Sequence, residues 1–430
     1  MARIMRASEP GFADAYRTLI AERGARMDAA EAAAAHTIAA VRKNGVDAVL
    51  SLTEQFDGLK LTREDLVVSA AQRKRARAQC PPDLIKALEQ AAERILAFHE
   101  RERPKAESWT DAQGLTLGFR WTPVDRAGLY APGGLAAYPS SVLMNALPAK
   151  AAGIGAVAMA TPPGKLTENP AILAAADIAG VEEIWAIGGA QAIAALAYGA
   201  GDLKPCDVVV GPGNAYVAAA KKLVYGDVGI DGVAGPSEVF ILADGSAPPP
   251  WIAADLMAQA EHDADAQSVL FTTDESYAHA VANEVERMIA AGEAGPSARA
   301  SWDRHGAIVI VSTLDEAAPL SDLAAPEHVQ IAAADAARLA ALVRHAGAIF
   351  LGAHAPEALG DYVAGPSHVL PTGRRARFSS GVSTRTFMKR TTLIGAGAEA
   401  LSQIGPHAAR IADAEGLPAH ARSIRVRLGL

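Results

Sequence analysis

Several things are scarce or missing in this chain, and each absence closes off a class of function. Only two of the 430 residues are cysteine, Cys80 and Cys206. That rules out a disulfide framework and a thiolate metal site. There is no excess of positive charge: the formal net charge is -8, the opposite of the basic stripe a nucleic-acid surface needs. The one compact basic cluster, Arg73-Lys74-Arg75-Arg77, follows a polar stretch and leads to Pro81-Pro82, as a solvated face does. Long apolar runs are missing too, since alanine-rich segments such as Ala29–Ala40 carry Glu31 and His36. The stretch Met1 to Phe12 lacks the apolar core of a signal peptide. The expectation is a soluble, cytoplasmic protein with neither nucleic-acid nor membrane partner. Also absent is a Gly-x-Gly-x-x-Gly fingerprint after a strand; Gly153-Ile154-Gly155 precedes one and reads as a helix stop.

What is present is a globular composition, 50% hydrophobic and 20% charged, in a chain too long for a single ordinary core. Residues from about 27 to 101 read as helices. Asp28 can cap a segment running to Asn44-Gly45, and Pro81-Pro82-Asp83 opens another with Leu84, Leu88, Ala91, Ile95 and Phe98 at helical spacing. Leu115, Leu117, Phe119 and Trp121 then alternate as in a half-buried strand. From about 126 to 240, short continuous apolar runs (Gly128–Tyr130, Ala156–Ala160, Glu183–Ile187, Val208–Val210) each end in a glycine- or proline-rich turn and lead into an alanine-rich helix. Strands without alternation are covered on both faces, so the sheet is parallel with crossover helices. A second series follows: Val239–Leu242, Val269–Thr272, Ile308–Val311 and Ala348–Leu351, with helices at about 251–261, 275–290 and 333–345. The fold class is therefore α/β, with two similar lobes of parallel, incomplete Rossmann-like sheets and small helical segments at both ends. A tail from about Phe378 belongs to neither lobe.

In open α/β sheets, ligands bind where the carboxyl ends of strands meet helix N-termini. The turns Ala131-Pro132-Gly133-Gly134, Thr161-Pro162-Pro163-Gly164, Gly188-Gly189 and Gly211-Pro212-Gly213-Asn214 lie at such ends, though glycine turns also serve simply to join strand to helix. Gln259 and His262 are three apart and share a helical face, with Asp255, Glu261, Asp263 and Asp265 around them. This is half a metal site or a solvated helix end. Glu327-His328 places a carboxylate beside an imidazole, two titratable groups suited to general acid–base work near neutral pH. Asp361, His368, Glu415 and His420 complete the unusual polar residues. Nitrogen and oxygen donors without cysteine suit Zn²⁺, Mn²⁺ or Co²⁺ in an open site.

Taken together, the ordered blocks resemble the histidinol dehydrogenase family over about residues 30 to 428. They are Gly128-Leu129-Tyr130-Ala131-Pro132-Gly133-Gly134, Pro139 to Asn145, Gly188-Gly189-Ala190-Gln191, Gly211-Pro212-Gly213-Asn214, Ile230 to Glu238, Asp255 to His262, Ala325-Pro326-Glu327-His328, Gly365 to Thr372 and Ala414-Glu415-Gly416-Leu417. The resemblance implies zinc held by Gln259, His262, Asp361 and His420, with Glu327 and His328 as catalytic acid–base residues. It implies NAD contacts at Tyr130, Gln191 and Asn214. Substrate contacts are implied at Ser237, Gln259, His262, His328, Asp361, Glu415 and His420. It further implies a homodimer with shared active sites, His420 and Glu415 reaching into the partner's site. The domains expected on this basis are residues 27–129 with 239–381 as a discontinuous first lobe, 130–238 as a second lobe on the NAD side, and 1–26 with 382–430 as dimerisation segments.

The implied activity is oxidation of L-histidinol through bound L-histidinal to L-histidine with two NAD⁺, the last steps of histidine biosynthesis. A relative acting on another hydroxyl compound, such as a sulfonated diol, would use the same scaffold; Glu327, His328, His368 and Glu415 in their expected blocks favour histidinol. A zinc hydrolase would have no use for Tyr130, Gln191 or Asn214. A non-catalytic binding module would be expected to have lost its acid–base residues first.

Overall fold

A computed structural model describes residues 3–21, 27–132 and 138–430, without the side chains of Met27, Asp28, Lys165, Thr167 and Glu168. The expected cap at Asp28 and the turn glycines Gly133 and Gly134 therefore lie outside the described residues. Strand β1 (Arg3–Arg6) comes first, followed by helices up to Arg101 and the strands β2 (Glu107–Thr110) and β3 (Thr116–Pro123). A βα series then carries β4 (Arg126–Tyr130), β5 (Ala156–Thr161), β6 (Glu183–Ala186), β7 (Val208–Val210) and β8 (Gly229–Ile230). A second series carries β9 (Glu238–Ala243), β10 (Gln267–Thr272), β11 (Ala307–Ile310), β12 (His328–Ala332) and β13 (Ala348–Leu351), and β14 (Met388–Gly395) opens the tail.

Two of the three sheets are wholly parallel: five strands in the order β6-β5-β4-β7-β8, and six in the order β1-β11-β10-β9-β12-β13. The inner strands are continuously apolar because both faces are covered, whereas the edge strand β13 leaves Ile349 and Leu351 exposed and the edge strand β1 carries Arg3 and Arg6. In β9 every residue is buried, with Phe240 and Leu242 entering one core while Val239, Ile241 and Ala243 enter the other. Each such fully buried large side chain contributes roughly 2 kcal/mol. Helix starts follow local chemistry. Asn214 Oδ1 accepts from the N–H groups of Tyr216 and Val217 at 3.1 Å, and Asp274 caps Glu275–Ala291 in the same way. Among the described residues no helix is long and apolar enough to cross a membrane.

Packing corrects three expectations. The helices between residues 27 and 101 pack on the lobe of the five-stranded sheet, not on that of the six-stranded one. Ala34, Ile38, Val41 and Val49 join Trp185, Ile193 and Val217 on one face; Leu88, Ala91 and Ile95 join Leu129, Met159 and Val210 on the other. Met27–Asn44 packs on the crossover helices Gly189–Tyr198 and Ala215–Val224, and Pro82–Arg101 on Pro139–Ala152, so 27–129 packs with 130–238 and β4 is itself a strand of that sheet. Residues 3–21 are likewise part of the larger lobe: β1 pairs with β11, and Tyr16, Leu19 and Ile20 enter its core. The helix expected over 333–345 shrinks to Ala336–Ala340, because the N–H groups of Arg344 and His345 both donate to Asp322 Oδ1 at 2.9 Å and pull the chain aside.

The small third sheet is antiparallel, β14-β3-β2, and draws the tail onto the strand Thr116–Pro123. Beyond it, helices Ala398–Ala414 and Pro418–Arg425 pack on each other through Ala409, Ala412 and Ala421.

Candidate active site

The connection from β8 to β9 leaves the carboxyl end of the five-stranded sheet and enters the amino end of the six-stranded one. A cleft between the lobes must therefore have carboxyl ends on one wall and amino ends on the other. A cavity of about 810 Å³ lies there, lined by Gly211–Asn214 and Ile230–Gly235 from the first wall and by Ser237, Glu327 and His328 from the second. At the switch point of the smaller sheet, β4 and β7 run side by side. A Cβ on Gly211 would lie 2.2 Å from the carbonyl oxygen of Tyr130, and its φ is +121°, so only glycine allows this approach. Lys221 and Asp231 form a buried ion pair beneath the two loops. Lys221 Nζ donates to the Gly211 carbonyl at 2.8 Å, and Asp231 Oδ2 accepts from the Gly211 N–H at 2.9 Å.

His328 begins β12 and is buried beside β9. Its Nδ1 lies 3.1 Å from the carbonyl oxygen of Glu238. A carbonyl only accepts, so Nδ1 carries the proton and Nε2 the lone pair. Burial pushes the imidazole down to about 4, against the opposing pull of Asp361, so the ring is neutral at physiological pH. Glu327 is buried next to it, its Oε2 accepting from the Glu238 N–H at 3.3 Å while its own N–H donates to Glu238 Oε2 at 3.0 Å. Burial, then the carboxylates of Glu238 and Asp361, hold its carboxyl well above the usual range.

Gln259 sits in the last turn of Pro249–Ala260, completely buried at the cleft wall, and neither Oε1 nor Nε2 has a hydrogen-bond partner. An amide orphaned in this way costs free energy unless something fills the space in front of it. His262 lies just past the helix end, its Nδ1 at 2.9 Å from the Ala258 carbonyl, which leaves Nε2 3.8 Å from Asp361 Oδ2. An oxygen of Gln259, a nitrogen of His262 and an oxygen of Asp361 are a donor set that fits a divalent cation with positions left open. A second cluster overlaps it: ligand atoms of His328, Glu357 and Asp361 all lie within 4.8 Å of one another and could also hold a metal ion. His368 closes this end, its Nδ1 2.9 Å from the Asp361 carbonyl and its Nε2 3.1 Å from Ser141 Oγ.

A family model described as histidinol dehydrogenase matches residues 21–428. The histidinol dehydrogenase of Caulobacter vibrioides is 52% identical over 421 residues, 98% of either chain. That of Rhodospirillum rubrum is 54% identical over 428 residues, 99% of this chain and 98% of the relative. Among solved structures, histidinol dehydrogenase from Elizabethkingia anophelis matches with a TM-score of 0.93 at 32% identity, covering 100% of this chain and 98% of that one.

The chain belongs to the histidinol dehydrogenase family. It is an enzyme of the oxidoreductase class.

Against the family resemblance drawn from the sequence, the cleft gathers Asn214, Ser237, Gln259, His262, Glu327, His328 and Asp361. Tyr130 and Gln191 stand behind its wall. Both are buried, and the Tyr130 hydroxyl accepts from the Gly189 N–H at 3.0 Å. Residues 133–137, next to Pro132 on that wall, lie outside the described residues. Glu415 and His420 are exposed on the helical tail and do not line the cleft of their own chain. Two buried carboxylates of the site, Glu238 and Glu357, escaped the sequence reading. Glu238 opens a strand whose other residues are all apolar, and that lone charge was the available signal.

Proposed function

We propose that this protein is a zinc-dependent L-histidinol dehydrogenase that oxidises L-histidinol through bound L-histidinal to L-histidine with two NAD⁺, in histidine biosynthesis. The observation that carries the reading is the orphaned, fully buried amide of Gln259 facing His262 and Asp361 in the cleft that also holds Glu327 and His328. Gln259, His262 and Asp361 would hold zinc, with His420 supplied by a second copy of the chain. When bound, zinc fixes the substrate's nitrogens and offsets the negative charge around Asp361 and Glu327. NAD⁺ is the hydride acceptor in both steps, with Asn214 on the cleft and Tyr130 and Gln191 behind its wall as its expected contacts at the strand ends of the smaller lobe. Ser237 and the partner subunit's Glu415 add substrate contacts.

The chain's own groups then handle protons. His328 is neutral, with its lone pair on Nε2, and takes the hydroxyl proton as the alcohol carbon loses hydride, leaving the aldehyde. Glu327, ionised once its surroundings are less negative, takes a proton from the water that adds to the aldehyde. Loss of the second hydride from the hydrate anion gives the carboxylic acid, which releases its proton to solvent and leaves as the carboxylate. The two bases sit on adjacent residues, and His328 Nδ1, the protonated nitrogen, lies 3.9 Å from Glu327 Oε2, too far to join the pair in a hydrogen bond.

The test is NADH formation from L-histidinol and NAD⁺, counted per substrate consumed, with and without a chelator. About two NADH per histidinol, lost on chelation and restored by Zn²⁺, is the expected result for two successive hydride transfers. No turnover by folded, metal-loaded protein would refute the assignment.

A further inference from the structure

Behind the site stands a carboxylate that the chemistry above does not use. Glu357 opens the helix Glu357–Tyr362, one turn before Asp361 and on the same face. Its backbone N–H donates to Gln330 Oε1 at 3.2 Å, and Gln330 Nε2 donates to Asp255 Oδ2 at 2.5 Å. This chain of contacts ties the helix to β12 two residues past His328. The Glu357 side chain is only 3% exposed; its Oε1 lies 3.4 Å from His328 Nδ1, and its Oε2 has no hydrogen-bond partner. It does not line the cleft, so it touches the imidazole rather than a bound substrate. A buried carboxylate left half-satisfied is costly, and such a group is commonly retained for what it does to a neighbour.

Glu357 also belongs to the metal-competent cluster with His328 and Asp361. The Nδ1 nearest to it gives its proton to the Glu238 carbonyl and has no lone pair for a metal. We propose that Glu357 is the positioning residue of His328, its oxygen and the Glu238 carbonyl together favouring the Nδ1–H tautomer and fixing the ring's tilt, so that Nε2 faces the reacting alcohol. The contact at 3.4 Å is electrostatic in the free enzyme and tightens in the substrate complex, as catalytic hydrogen bonds do. The inference rests on His328 being the proton acceptor proposed above.

Two variants of the full-length, zinc-loaded enzyme separate positioning from packing. Glu357→Gln keeps size and an acceptor oxygen; Glu357→Leu keeps bulk and removes the acceptor. Glu357→Met, which adapts to the same space, replaces the leucine variant should that fail to fold. The glutamine variant should stay within about 3-fold of the parent kcat, and the apolar variant should lose about 10- to 100-fold, with the KM for L-histidinol and the zinc content unchanged in both. Independently of turnover, the ring ¹⁵N shifts of His328, assigned by their loss in His328→Asn, should show Nδ1–H in parent and glutamine variant and a tautomer mixture in the apolar one. An apolar variant with parental kcat and parental ¹⁵N shifts overturns the proposal. So does loss of zinc from it, which would make Glu357 a metal ligand. Absence of turnover in the parent enzyme would sink the histidinol reading instead, leaving the ¹⁵N comparison to judge Glu357.

Discussion

Cys206 shows how far burial alone sets a residue's chemistry here. It lies between β4 and the helix Gly189–Tyr198, and burial pushes its thiol up to about 12 even though the guanidinium of Arg126 pulls the other way. Burial raises Cys80 as well. Both are therefore neutral thiols at pH 8, and the thiolate is the reactive form. Titration with an aromatic disulfide at that pH should find native protein reacting about 100-fold more slowly than protein unfolded in guanidinium. Prompt release of even one equivalent from the native state would contradict the burial described. The same logic limits what can be read from sequence at this scale. Gln259, His262, Glu327 and His328 stand out because polar side chains interrupt apolar or alanine-rich stretches. Glu357 does not, since Pro356-Glu357-Ala358 looks like any helix start with an acid in its first turn. What singles it out is a neighbour 29 residues earlier in sequence, His328, reached only through the pairing of β12 with β13 and the helix that follows.

Elements were legible wherever hydrophobic period and turn chemistry agreed. The runs Val208–Val210 and Ala348–Leu351 are strands with the expected limits, because unbroken β-branched and apolar residues bounded by glycine or polar turns have few other stable uses. The strands β1 and β14 were not legible: Arg3–Arg6 is short and flanked by charge, and Met388–Gly395 is exposed along most of its length, so neither shows a buried period. Nor does sequence reveal which sheet a helix covers, because an apolar stripe states that a face is buried and not against what. The Lys221–Asp231 pair illustrates the same limit, since a lysine in Ala215–Val224 reads as a solvated residue yet is 2% exposed. It joins that helix to the Gly211 turn and to the strand-to-strand connection at Asp231. Lys221→Met should lower the unfolding free energy by about 3–5 kcal/mol, because it leaves Asp231 charged, buried and unpaired. Adding Asp231→Asn should recover part of that loss, since the uncompensated charge is gone. Equilibrium urea unfolding measures both. If Lys221→Met proved as stable as the parent, the pair would not be what holds the cleft's smaller wall.

At the scale of the whole molecule, the reading proposed above has each chain's site completed by its partner. Gln259, His262 and Asp361 offer three donors, while His420 and Glu415 sit exposed on a tail that packs mostly on itself. That tail also carries apolar side chains with little cover, Ile411 at 60% and Leu430 at 76% exposed, as does Ile394 on β14 at 74%. A two-fold dimer that buries these residues and exchanges tails would complete both sites with the same contact made twice. The arrangement predicts complementation. On the roles proposed above, Glu327→Gln and His420→Asn should each be inactive alone: the first would lack the base that activates water, and the second the donor lent to the partner. When the two are unfolded together and refolded as a mixture, about half of the dimers are mixed, and each mixed dimer holds one site with its own Glu327 and the partner's intact histidine. Its other site carries both defects. Activity should therefore return to roughly a quarter of the parent value, and only after subunit exchange, not on simple mixing of preformed dimers. If His420 served its own subunit, a mixed dimer would contain one site of each single defect and no activity would return. The yield of the refolded mixture thus decides whether the helical tail completes the active site across the dimer or within one chain.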